Sequence, residues 1–294
     1  MNVPSTCTQV LSYEKGYKES DITKSGEQFQ RFKFPKSENQ IPLPSYLIFF
    51  YAGNWTKHSF LDYLGIEYHN YIIDKSVPDI RDYKKFSTLN LAPLSIKTIM
   101  SLMNTEEYHF SKNYSHVYTP TNPHPSVALE NPSKVRMDDY FLTSDYSPYL
   151  KLKGLFILGH EMGHMWWGDL IRTEWWGNVW IKEGMAEILG MFVLEAWESE
   201  EFKEKNSQFY SKIFWERRKY DGFAFDDIAR LDPDYEGINK KATQIHEGCM
   251  CYQDDTYGKS FGVILEYFDL IGKPGLCYRN DCIKKFWKES LTLY

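Results

Sequence analysis

The chain has 294 residues, long enough to bury a large core in one or two domains, and its 43% hydrophobic and 25% charged content is that of an ordinary globular protein. A formal net charge of -6 argues against a nucleic-acid partner, which selects basic surfaces. No run of eighteen apolar residues occurs, so no membrane span is expected, and Met1 to Lys15 lacks the basic and apolar regions of a secretory signal, which makes a cytoplasmic location the expectation.

Residues 1–40 are polar and without sustained periodicity, and are expected to form loops with one or two strands. Pro42 and Pro44 lead into Ser45-Tyr46-Leu47-Ile48-Phe49-Phe50-Tyr51, an apolar run of strand length that closes at Gly53-Asn54. It reads as a buried strand, and Tyr68 to Ile73 reads as another. Ser95 to Met103 carries helical spacing through Ile96, Ile99, Met100 and Met103. Between Tyr118 and Pro132 the prolines forbid a regular helix, leaving Val127-Ala128-Leu129 as a short edge strand. Such an edge can pair with an extended peptide, with Glu130 beside it, or Glu130 can be a solvated carboxylate on a surface loop.

Leu150 to Leu170 and Asn178 to Glu198 are the first strongly amphipathic helices. Ser207 to Tyr220 and Lys241 to Gln253 follow as weaker ones. Tyr257 to Ile271 is a clear helix stopped by Gly272 and Pro274, and the tail from Asp281 also has helical character. Early strands and later helices suit an α+β domain. The odd, low count of Cys7, Cys249, Cys251, Cys277 and Cys282 does not suggest a disulfide scaffold; the last four cluster near His246, where a second metal site is conceivable, but their spacing fits no established zinc pattern and they read as reduced thiols.

The chemistry concentrates at His160-Glu161-Met162-Gly163-His164, with eighteen residues between His164 and Glu183. Histidines four apart share one helix face and can reach one ion. Two imidazoles and a carboxylate from Glu183 leave one zinc ion an open position for water. Glu161 is placed to take that water's proton. Asp169, Glu174 and Glu187 are candidates for orienting the histidines. The tryptophans 166, 167, 175, 176 and 180 are expected mostly to pack the helix connection.

Residues His160 to Leu170, then Glu174-Trp175-Trp176, then Trp180-Ile181-Lys182-Glu183-Gly184-Met185-Ala186 resemble the aminopeptidase N family of zinc metallopeptidases, gluzincins that include aminopeptidase B and leukotriene hydrolase. Pro44-Ser45-Tyr46-Leu47 resembles the family's entry strand into its catalytic domain. Val127 to Pro132 resembles a degenerate Gly-x-Met-Glu-Asn exopeptidase motif, and Tyr257-Gly258-Lys259-Ser260 a Tyr-x-Lys-Gly segment. The resemblance implies a thermolysin-like catalytic domain with a small mixed sheet and a mainly helical lobe. It divides the chain into residues 1–53, the tail end of an N-terminal β-domain, and residues 54–294, the catalytic domain, with no C-terminal helical domain. It implies a zinc aminopeptidase acting on peptides with a free N-terminus. Glu130, with Ala128 and Asn131, would bind substrate, Glu130 taking the α-amino group, and Tyr257 would donate to the oxyanion. Val127, Ser260 and Lys182 depart from the family's usual glycine, glycine and asparagine. These departures keep two alternatives open: an inactive zinc-binding regulatory module, and an endopeptidase. A partner chain is expected to cover surfaces where flanking domains would pack.

Overall fold

The structure, a computed structural model, describes residues 2–7, 9–12, 17–33, 47–61, 64–73, 88–106, 108, 110, 112–120, 127–142, 148–202, 209–231 and 254–271. It has an α+β composition and divides into two compact units, Met1–Leu89 with His109–Asp145, and Asn90–Tyr108 with Tyr146–Tyr294.

The first unit is built from strands. β1 (Asn2–Pro4), β3 (Tyr17–Lys24) and β4 (Glu27–Lys33) form an antiparallel sheet in the order β1-β4-β3. The β3–β4 hairpin turns on Ser25 and Gly26, both at positive φ (55 and 84), the conformation of a two-residue primed turn. β2 (Gln9–Ser12) pairs antiparallel with β5 (Phe50–Gly53). Among its described residues the polar N-terminal stretch therefore holds four strands rather than one or two. The expected strand at Ser45–Tyr51 begins only at Phe50. Leu47 and Phe49 turn inward while Ile48 and Phe50 stay exposed, and residues 45 and 46 lie outside the described residues.

A five-stranded mixed sheet follows, β6 (Thr56–Leu61), β7 (Glu67–Ile72), β8 (Asn113–Thr119), β9 (Ala128–Leu129) and β10 (Lys134–Asp138), in the order β6-β7-β8-β10-β9. The three central strands run parallel and are buried on both faces, so their polar residues need partners. Ser59 Oγ and Asn113 Oδ1 lie 2.9 and 3.3 Å from the His69 ring nitrogens, Tyr114 Oη lies 3.0 Å from His116 Nε2, and Arg136 pairs with Asp138 and Thr119. Burial drives the His116 pKa down to about 3, so this imidazole is a neutral core group. β9 is the expected short edge strand, two residues long and antiparallel to β10.

The second unit is helical: α1 (Thr88–Met103), α2 (Pro148–Gly163), α3 (Val179–Phe202), α4 (Phe209–Leu231) and α5 (Asp254–Ile271). Pro148 opens α2, where its missing N–H leaves no hydrogen bond unmade. α3 is central, packed against α2, α4 and α5. Glycines let these helices approach closely. A Cβ on Gly159 would stand 3.0 Å from Gly190 Cα, and one on Gly184 would stand 2.9 Å from the Ser260 backbone. No helix among the described residues is long and apolar enough to cross a membrane. The helices expected at 241–253 and 281–294, and all four late cysteines, lie outside the described residues.

Candidate metal centre

α2 stops at Gly163, seven residues before the apolar pattern alone would end it. The chain then folds into a tight loop, with Trp166 N and Trp167 N on Gly163 O, Asp169 N on His164 O at 2.8 Å, and Gly168 N on Ile171 O. Gly168 has φ 142, strained for any side chain, and a Cβ there would crowd the His164 ring at 3.3 Å. Trp166 and Trp167 are buried, Trp166 with its ring 6.1 Å from that of Tyr108, which bears out their packing role, while Trp175 is exposed. A short 3₁₀ turn, Trp176–Asn178, then leads into α3 and brings Glu183 back towards the end of α2.

His160, His164 and Glu183 converge, all buried. His160 Nε2 and His164 Nε2 are 3.0 Å apart, and each lies 3.2 Å from Glu183 Oε2. The other face of each imidazole is occupied. His164 Nδ1 donates to Trp167 O at 2.9 Å, and His160 Nδ1 faces Glu187 Oε1 at 3.2 Å. With both rings neutral and the hydrogen on Nδ1, both Nε2 lone pairs point at a carboxylate oxygen. Three electron pairs that close repel one another unless a cation sits among them. Ligands of a tetrahedral zinc ion, bound at ~2.0–2.1 Å, stand about 3.3–3.4 Å apart, close to this triangle. The residues present therefore fit a metal ion. Without one, a proton fills the role on His160. Burial would lower its pKa, but the hydrogen-bonded carboxylates of Glu183 and Glu187 outweigh burial and hold it at about 10. Glu183 is held well below the usual carboxylate range: burial pushes up, but Lys182, His164 and the hydrogen bond to His160 prevail.

Of the candidates for orienting the histidines, Glu187 faces His160, one helical turn after Glu183 on the same side of α3. Glu174 is exposed, and the group facing His164 Nδ1 is the Trp167 carbonyl rather than Asp169. Glu187 in turn receives Arg218 of α4 on both oxygens, at 3.0 and 3.3 Å, and the guanidinium lies 5.1 Å from the centre of the Phe156 ring. Arg218 carries no sequence signal, since 31 residues separate it from Glu187. Lys182, singled out only as a departure, is 2% exposed with Nζ 2.6 Å from Glu183 Oε1. Glu161 is buried, one carboxylate oxygen within 4.8 Å of a His164 ring nitrogen. Tyr257, in the first turn of α5, is half-buried with its ring 6.0 Å from that of His160. In the other unit, Ala128 is buried in β9, Glu130 is half-buried just after it, and buried Asn131 donates to Tyr51 Oη at 2.7 Å.

The family model described as "Peptidase family M1 domain" matches residues 88–280, about two-thirds of the chain and all of this site. The chain belongs to peptidase family M1. Aminopeptidase Q of Mus musculus is 50% identical over 64 residues, 21% of this chain and 11% of the relative. Aminopeptidase N of Haemonchus contortus is 28% identical over 136 residues, 46% of this chain and 13% of the relative. Glutamyl aminopeptidase of Bitis rhinoceros is 23% identical over 157 residues, 51% of this chain and 15% of the relative. The chain thus spans only a small part of the length of the curated M1 relatives it matches. Membership of this family and the names of these relatives support a peptidase, an enzyme that hydrolyses peptide bonds.

Proposed function

We propose that this chain is the catalytic part of a zinc aminopeptidase that hydrolyses the N-terminal bond of peptides. The observation that carries the reading is the convergence of His160 Nε2, His164 Nε2 and Glu183 Oε2 beside the buried carboxylate of Glu161. A zinc ion held by these three residues supplies a Lewis acid that acidifies the attacking water and polarises the scissile carbonyl. Glu161 accepts the proton of the attacking water and then passes it to the leaving amine. The Tyr257 hydroxyl donates to the oxygen of the carbonyl as it gains charge. Glu187 and the Trp167 carbonyl hold both imidazoles with Nε2 free of hydrogen. Glu130, with Ala128 and Asn131 on and beside the edge strand, binds the free α-amino end of the substrate. A carboxylate against an ammonium fixes the chain end and sets the cut one residue in.

The test is a zinc assay and an aminoacyl-fluorophore panel run on wild type and Glu161→Gln. Both proteins should carry one zinc ion, and only wild type should turn over. Activity surviving in Glu161→Gln removes Glu161 as the base. Glu130→Ala should raise KM for free-amine substrates. Cleavage of N-acetylated peptides by wild type would favour the endopeptidase reading, and full zinc occupancy without turnover would favour a regulatory module.

A further inference from the structure

The two oxygens of Glu183 are divided between different partners. Oε2 faces the two imidazoles at 3.2 Å each, and Oε1 lies 2.6 Å from Lys182 Nζ. Lysine and glutamate are each 2% exposed, so this ion pair is shielded from solvent and salt. The loop between the ligand helices accommodates the lysine stem. A Cβ on Gly168 would stand 3.5 Å from Lys182 Cδ and 3.3 Å from His164 Nδ1, so any side chain at this corner would meet both the cation's stem and the His164 ring.

Three physical consequences follow. With Oε1 bound to an ammonium, Glu183 has one oxygen left for a metal. A fixed positive charge beside the ligand repels a divalent ion and draws electron density from the carboxylate that would hold it. In the metal-free chain the same charge balances Glu183, which lowers the drive to bind a cation.

We propose, resting on the zinc reading above, that Lys182 is a positioning residue that restricts Glu183 to one-oxygen ligation and weakens the hold on the ion. The ion is left less neutralised by its ligands and so a stronger Lewis acid.

The experiment is zinc affinity by competition with a chromophoric chelator, on the full chain as wild type, Lys182→Met and Lys182→Arg. Lys182→Met keeps the volume and removes the charge, and it should bind zinc at least tenfold more tightly. Lys182→Arg keeps the charge and should stay within about threefold of wild type. The acid limb of kcat/KM should move to higher pH in Lys182→Met only, which loss of packing alone would not produce. Equal or weaker binding by a folded Lys182→Met overturns the inference and leaves the zinc reading standing. If wild type binds no zinc, both fall. Should Lys182→Met fail to fold, a crystal structure of zinc-loaded wild type decides. Lys182 Nζ on Oε1 with Oε2 alone on the ion supports the assignment, and Glu183 bound through both oxygens overturns it.

Discussion

Gly190→Ala sets two opposing effects against each other at one atom. Gly190 lies inside α3, where helix propensity favours alanine by ~0.8–1.0 kcal/mol. Against this, the new Cβ would stand 2.9 Å from Phe156 O, 3.0 Å from His160 N and 3.1 Å from Phe156 Cε2. Two of these are backbone atoms of α2, which cannot rotate away as a side-chain end can. Ordinary contact starts near 3.4 Å, so α2 and α3 must separate by about 0.5 Å at this crossing. Overpacking of this kind costs ~1–3 kcal/mol, and the backbone contacts put Gly190→Ala in the upper part of that range. The net effect is a loss of about 1–2 kcal/mol, which at ~2.1 cal/mol/K of unfolding entropy per residue in a 294-residue chain lowers Tm by about 1.5–3 °C. The displaced residue, His160, is one of the three proposed ligands, so zinc binding should weaken in parallel. Gly163→Ala provides the comparison. Its Cβ meets Leu189 Cβ and Cδ1 at 3.1 and 3.2 Å and the nearest backbone atom at 3.4 Å, so Cδ1 can rotate away and only the Leu189 Cβ contact asks for a shift of about 0.3 Å, smaller than at Gly190. Urea and thermal unfolding of the three proteins should rank wild type above Gly163→Ala above Gly190→Ala. A Gly190→Ala protein as stable as wild type or more so, with undiminished zinc affinity, would refute the close approach of the two ligand helices.

Arg218→Leu leaves the buried Glu187 carboxylate without its guanidinium and should weaken zinc binding about tenfold, the low end of the range for such partners because Arg218 is partly exposed. Arg218→Lys should not restore it, since lysine cannot hold both oxygens, and chelator competition reads both variants. Tyr257→Phe should cost on the order of 10²-fold in kcat while KM and zinc content hold, the pattern of a donor used only as charge develops. The metal-free chain should show a pH dependence set by His160. Its folded pKa, about 10, lies above the ordinary 6.5, so its contribution is complete below 6.5 and is lost as pH rises towards 10. Glu183, held low, acts in the opposite sense, losing its contribution as pH falls below the usual carboxylate range. The Tm difference between metal-free wild type and His160→Gln should therefore shrink between pH 6.5 and 10. A difference that grows over that interval contradicts the carboxylate pairing, and zinc should abolish the dependence by taking the proton's place.

What could be read from the residues, and what could not, follows from how local each signal is. The meeting of His160, His164 and Glu183 was legible because an i, i+4 histidine pair and a downstream glutamate are spacings along one chain. Glu187 was legible in principle, since it repeats Glu183 one turn later, but nothing local ranked it above Asp169 or Glu174. The Trp167 carbonyl was invisible because a backbone acceptor leaves no mark on composition. The strands β3 and β4 escaped because no strand-long apolar face marks them: Lys18, Glu19, Asp21, Glu27 and Gln28 are all exposed. Only Ser25-Gly26 marked their hairpin. The apolar pattern carried α2 to Leu170, whereas the positive φ of Gly168 belongs to a tight loop that hydrophobic period does not register.

The remaining features depend on what another element brings to the site. Neighbouring residues on a helix ordinarily point apart, so nothing in the pair Lys182-Glu183 announces a 2.6 Å contact. The loop after α2 lies against the lysine stem, where a Cβ on Gly168 would stand 3.5 Å from Lys182 Cδ. Arg218 reaches Glu187 only once α4 has docked beside α3. Gly159 and Gly163 look like weak helix formers in isolation, yet four residues apart they make one smooth face, and α3 answers with Ala186 and Gly190. The same division predicts how variants should differ. Replacing His160, His164 or Glu183 removes a donor and should empty the site. Replacing Lys182, Glu187, Arg218 or Gly190 leaves three donors and changes their charge or spacing, so those variants should bind the ion with altered affinity.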